Sequence, residues 1–155
     1  MNRPPFRPPA ASRSVLLVDG DNIVLADGQT DPMLARLRLL EVVLAAGPVD
    51  LNLLVMSRSL VLSTHLWPML ARLPLTLRLD PGGADAADHL LLDFAMHEIY
   101  AGGVTRVVVA SGNGIFERLA EHAQLQVCVP RDHTGVSQSL KPFLLQPHSS
   151  SGAAV

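Results

Sequence analysis

Three short stretches of this 155-residue chain carry side chains that could do chemistry. In the first, Asp19 ends the apolar run Val15-Leu-Leu-Val18 and is followed by Gly20, Asp21 and Asn22. A carboxylate there is costly to desolvate unless a cation or a donor meets it. Asp19 therefore either holds a metal ion or closes its own turn as an Asx motif, with Asp21 and Asn22 solvated. The second stretch holds Asp85, Asp88 and Asp93 in a helical pattern from Ala84 to Tyr100. At about 100° per residue, Asp88 shares a face with Leu91, Leu92, Ala95 and Ile99 and must point inward. Asp85 lies nearest to it, as a metal ligand or as favourable charge at a helix N-terminus. Asp93 reads as solvated, and His89 and His97 on the same arc as surface polar chemistry. The third stretch, Ser111-Gly-Asn-Gly-Ile-Phe-Glu117, runs from a strand into small residues and a helix start, which suits phosphate or polar ligands of a metal. Glu117 is either a partner of that helix dipole or an assisting acid.

These residues need a scaffold that gathers strand ends, and the chain alternates accordingly. Strands are expected at Ser14 to Val18, Val49 to Met56, Leu75 to Leu79, Thr105 to Ala110 and Leu125 to Val129. Between them lie a helix capped by Asp31 with Pro32 at its first position and carried by Leu37, Leu40, Val43 and Leu44 to Gly47, and a helix from Leu60 to Leu73 with a kink or boundary at Pro68. The long helix from Ala84 and a short one ending near His122 complete the series. Such alternation predicts an α/β fold: a single doubly wound domain with a central parallel sheet of about five strands in three layers. Ligands of such sheets bind outside the carboxyl ends of the strands, where the strand order reverses. The loops there hold Asp19 to Asn22, Ser57 to Ser59, Asp80 to Asp85 and Ser111 to Gly114. Arg58 is a loop arginine placed either to touch a phosphate or to face water. Residues 13–145 form the domain, flanked by a disordered Pro/Arg-rich tail over 1–12 and a second disordered tail over 146–155.

Composition narrows the class. With 48% hydrophobic but only 4% aromatic residues, the core must be built from Leu, Val, Ala and Ile, as parallel strands under helices require. A net charge of −2 from 12 basic and 14 acidic residues argues against a general nucleic-acid binder acting through a broad basic field. No apolar run approaches a membrane span, and the N-terminal arginines precede no signal-like core, so a cytoplasmic protein is expected. Cys128, the single cysteine, reads as a buried core residue, which excludes a multi-cysteine metal site within one chain.

Taken together, Val15-Leu-Leu-Val-Asp-Gly-Asp-Asn-Ile23, Gly83-Ala-Asp-Ala-Ala-Asp-His-Leu90 and Val107-Val-Val-Ala-Ser-Gly-Asn-Gly-Ile-Phe-Glu-Arg-Leu119 resemble the three acidic motifs of the PIN-like superfamily, its NYN branch especially. The resemblance implies a metal-dependent nuclease acting on RNA, with Mg²⁺ or Mn²⁺ held by carboxylates. It implies Asp19 as the first acidic ligand and Asp88 or Asp85 as the helix aspartate; the site expected here has Asp19 and Asp88 as the principal ligands, with Asp85 and Glu117 assisting. Asn22 and Asn113 would orient water or substrate, and Ser111 and Arg58 would contact substrate. Family members usually carry an aspartate where this chain has Asn113, which supplies a carbonyl but no charge. A catalytically degenerate relative that binds RNA or a protein partner is the alternative. Asp19-Gly-Asp21 also resembles the nucleophile motif of haloacid-dehalogenase-type phosphatases. The later lysine which that chemistry needs is missing, since the sole lysine, Lys141, follows the last strand. The broad apolar arc of the first long helix suits either a homodimer contact or a deep core.

Overall fold

The protein is described by a computed structural model over residues 12–25 and 31–145. Both expected tails lie outside the described residues, apart from Ser12. The strands are β1 (Arg13–Asp19), β2 (Leu51–Met56), β3 (Leu77–Leu79), β4 (Val104–Ala110) and β5 (Gln124–Cys128). All pair in parallel, in the order β3-β2-β1-β4-β5. The chain winds outward from β1 to β3, crosses over, and winds the other way through β4 and β5. The order therefore reverses between β1 and β4, as a doubly wound α/β domain requires.

Alternation along the strands builds two cores. Leu16, Val18, Leu54, Met56, Val108, Ala110 and Cys128 pack on one side of the sheet. Helices α1 (Gly20–Val24), α2 (Pro32–Ala46), α3 (Arg58–Ser63) and α4 (Trp67–Leu70) cover that side. Val15, Leu17, Leu53, Val55, Val107, Val109 and Val127 face the other side. There α5 (Ala86–Tyr100) and two 3₁₀ helices, Gly114–Glu121 and Gln138–Phe143, cover them. Cys128 is a core residue as expected, and burial pushes its thiol up to about 12. Among the described residues no helix is long and apolar enough to cross a membrane.

Several elements differ from the sequence expectation. Asp19 to Asn22 do not form a plain turn; Gly20 starts the one-turn helix α1, because only a residue without Cβ fits against the Val55 carbonyl and the Met56 side chain. The helix expected over Leu60 to Leu73 is two short ones. It breaks at Thr64 to Leu66, where His65 adopts φ 52°, and Pro68 falls in the first turn of α4, which has no use for its missing N–H. The helix after β4 is 3₁₀, and the helix Gln138–Phe143 was not anticipated.

Helix α2 forms as expected, with the Asp31 carboxylate accepting from Met33 N and Pro32 at its start. Its buried face, however, is Ala35, Arg38, Leu39, Val42 and Ala46, while Leu37, Leu40 and Leu44 face outward. Arg38 can be buried because each of its three nitrogens finds an acceptor. Nη1 donates to Val24 O at 2.9 Å and Nη2 to Asp132 Oδ2 at 2.8 Å. It thereby ties the end of α1 and the loop after β5 to α2.

Candidate acidic site at the strand switch point

Pleating decides where Asp19 points. It shares the parity of Val15 and Leu17, so its side chain leaves β1 on the α5 side of the sheet. On the adjacent strand Ser111 continues the series Val107 and Val109 onto the same side. The Ser111 hydroxyl donates to Asp19 Oδ2 at 3.0 Å. From above, the inward face of α5 brings Asp88 down in its first turn, beside Leu91, Leu92 and Ala95. The Asp88 carboxyl comes within hydrogen-bonding reach of Asp19. Both aspartates are 7% exposed and Ser111 is fully buried.

Two carboxyls so close and so dry cannot both ionise freely. Burial, and next the charge of Asp88, push Asp19 up to about 7, against the opposing bonds from the Ser111 hydroxyl and the Asn22 backbone N–H. Asp88 is also raised, chiefly by burial and then by the charges of Asp85 and Asp80, while its bond with Asp19 and the charge of His89 lower it. The pair therefore resists losing its second proton until the pH approaches neutrality.

Asn113 closes the site from the β4 side. Its Nδ2 donates to Asp88 Oδ2 at 2.8 Å, and its Oδ1 accepts from Ile115 N at 3.1 Å, capping the 3₁₀ helix. These two bonds determine which way the carboxamide faces: the site receives amide hydrogens, and the carbonyl oxygen that could have ligated a cation is committed to the cap. Ser111 Oγ also accepts from Asn113 N, so its hydroxyl orients Asp19 and is too buried to reach a substrate. Asn22 likewise positions rather than contacts, its Oδ1 accepting from Gly112 N at 2.9 Å. Gly112 is tightly enclosed, since a Cβ would sit 3.0 Å from both His133 Nε2 and Gly135 O. The closeness of His133 to Gly112 has no signal in the sequence, because the loop that carries it returns from beyond β5.

The remaining expected residues are not drawn in. Asp85 is exposed at φ 60° before α5 and makes no capping bond, acting on Asp88 through charge alone. Glu117 is exposed in the first turn of its helix. Asp21, the second aspartate of the phosphatase-like motif, accepts from Ser57 N at 2.9 Å through Oδ1. Arg58 is exposed and lines an apolar groove of about 370 Å³ with Val61, Leu62, Trp67 and Leu79, beyond the ends of β2 and β3.

No family model, curated protein or solved structure matches this chain. The chemistry is therefore argued from the site alone. Among the described residues no three His, Cys, Asp or Glu side chains gather as a metal cage. The expected group of four acids reduces to the pair Asp19 and Asp88. That pair still fits Mg²⁺ or Mn²⁺, because hard divalent ions lean on one or two carboxylates and take their other ligands from water and phosphate. Two buried carboxyls that repel each other when ionised also form a donor set whose charge a divalent ion would satisfy.

Proposed function

We propose that this chain is a PIN-like, NYN-type, metal-dependent endoribonuclease of the cytoplasm, working with a minimal acidic site. The buried Asp19–Asp88 pair at the strand switch point carries the reading. Asp19 and Asp88 would hold Mg²⁺ or Mn²⁺. When bound, the ion supplies Lewis-acid polarisation of the phosphodiester and activation of water. Ser111 and the Asn22 backbone N–H hold Asp19 in its rotamer, and the Asn113 amide does the same for Asp88. Arg58 offers a phosphate contact and Trp67, 65% exposed in the same groove, a face for a base. Asp85 sits outside the pair and adds negative potential at its rim.

The deciding experiment is cleavage of a labelled single-stranded RNA in Mg²⁺ or Mn²⁺, with EDTA and the Asp88→Asn variant as controls. Cleavage by wild type should vanish in EDTA and fall about 10³-fold or more in Asp88→Asn. Equal, metal-independent cleavage by both proteins would sink the proposal.

One observation favours a second reading, a catalytically degenerate domain that binds RNA or a protein partner. Asn113 stands where the family carries an acid, and its oxygen is locked in a cap. Asn113→Asp separates the two. An aspartate can still accept from Ile115 N, but it loses the donor to Asp88 and adds a third carboxylate. The variant should melt lower than wild type without metal and bind Mn²⁺ about tenfold tighter or more by calorimetry. A gain in cleavage with that affinity supports the nuclease reading; tighter binding with no cleavage supports the degenerate one.

A further inference from the structure

Helix α2 presents apolar residues on both of its faces, and only one face meets the core. On the outer face Met33, Leu37, Leu40 and Leu44 recur at spacings of four, three and four, the a/d pattern of a helix seam. Met33 and Leu44 are 64% and 71% exposed, and Leu37 and Leu40 are exposed as well. In the same heptad frame Ala35 and Val42 are the outermost f positions, and here they are fully buried. The helix is thus turned so that its f side faces the sheet and its seam faces water. Fifteen residues make a seam about 22 Å long.

Arg36 Nη2 donates to His65 O at 3.5 Å, which brings the turn between α3 and α4 alongside α2. Met33, Leu37, Leu40 and Leu44 by themselves make an apolar stripe on the order of 400 Å², the size at which the largest patch of a monomer is often an interaction surface.

We propose that two copies of this chain associate through α2, seam against seam, as a parallel in-register helix pair about a two-fold axis. A second copy is the occupant that this surface fits, because an a/d seam is complementary to itself. The flanking charges select the direction. Arg36 occupies a g position and Glu41 the e position five residues later, the pairing that joins one helix to its partner across a parallel seam. Two such pairs form in the dimer, Arg36 with Glu41 of the partner subunit and the reverse. An antiparallel pair would place Arg36 beside Val43 of the partner subunit, with no opposite charge in reach. Within its own chain Glu41 Oε1 accepts from Arg131 N at 2.8 Å and lies 3.8 Å from Arg131 Nε, which leaves Oε2 for Arg36 of the partner subunit. Since α2 starts at the carboxyl edge of the sheet and ends at the other, parallel pairing opens both Asp19 sites on the same side of the dimer.

Sedimentation equilibrium of the full chain tests this without reference to catalysis. The wild type should be a dimer at tens of micromolar, and Leu37→Glu with Leu40→Glu should weaken association about a thousandfold or more, giving a monomer with unchanged far-UV circular dichroism. Arg36→Glu alone should weaken the dimer about three- to tenfold, and Arg36→Glu with Glu41→Arg should restore it. A monomeric wild type, or a dimer that survives the two glutamates, overturns the proposal. A charge swap that restores nothing overturns the parallel register.

Discussion

At pH 8 the Asp19→Asn variant should be more stable than the wild type and, on the proposed nuclease reading, cleave RNA about 10³-fold or more slowly. The reason is the cost of the buried pair. A carboxyl raised from 3.8 to about 7 by folding contributes its full stability below pH 3.8 and loses it as pH rises towards 7. Above pH 7 the folded chain holds an ionised Asp19 against Asp88, at a cost on the order of 4 kcal/mol. Asparagine removes that cost: its Oδ1 keeps the Ser111 hydroxyl bond and its Nδ2 gives Asp88 a donor. For a domain of this size the gain is about 10 °C in melting temperature at pH 8, shrinking to near zero at pH 4. Mn²⁺ at pH 8 should then raise the melting temperature of the wild type and leave the variant unmoved, with affinity falling as pH drops below 7. Melts from pH 4 to 9, with and without Mn²⁺, measure all of this. A variant that melts at or below wild type at pH 8 refutes the buried pair as described.

Gly20→Ala should act in the opposite direction to its helix propensity. In an ordinary helix the change stabilises by about 1 kcal/mol. Here the new Cβ would meet Val55 O at 2.8 Å and Leu54 Cδ1 at 3.0 Å, with the Met56 side chain closer still. Side chains can yield, but Val55 belongs to a central strand paired on both sides. Helix α1 must move instead, at a cost of about 3 kcal/mol or more, or roughly 6–12 °C. The same shift carries Asn22 off Gly112 and disturbs Asp19, so Mn²⁺ binding should weaken together with the melting temperature. A variant with wild-type stability would mean that α1 does not pack on β2 as described.

Both predictions concern residues whose types were conspicuous in the chain but whose surroundings were not. The glycine after Asp19 looked like part of a turn, because the close approach of β2 is set by a strand more than thirty residues away. Asn113 could be recognised as a missing acid. That its oxygen caps Ile115 and its nitrogen serves Asp88 required the crossover to fold. Asp85 and Glu117 were grouped with the site by their spacing along α5 and the 3₁₀ helix. The αL start of α5 and the outward first turn of the 3₁₀ helix leave them in water.

Local patterning alone determined the five strands, the long helices α2 and α5, the parallel doubly wound class, the inward side of Asp88 and the burial of Cys128. Period, capping residues and apolar runs are properties of neighbouring residues. Tertiary structure decided that Asp19 and Asp88 meet in a buried pair whose carboxyls are both pushed up, that Ser111 and Asn113 are positioning groups, that Arg38 is a buried tie, and which face of α2 meets the sheet. Each of these depends on how far a side chain is removed from water and on which distant group replaces it, quantities that arise only when the two halves of the sheet close around the switch point.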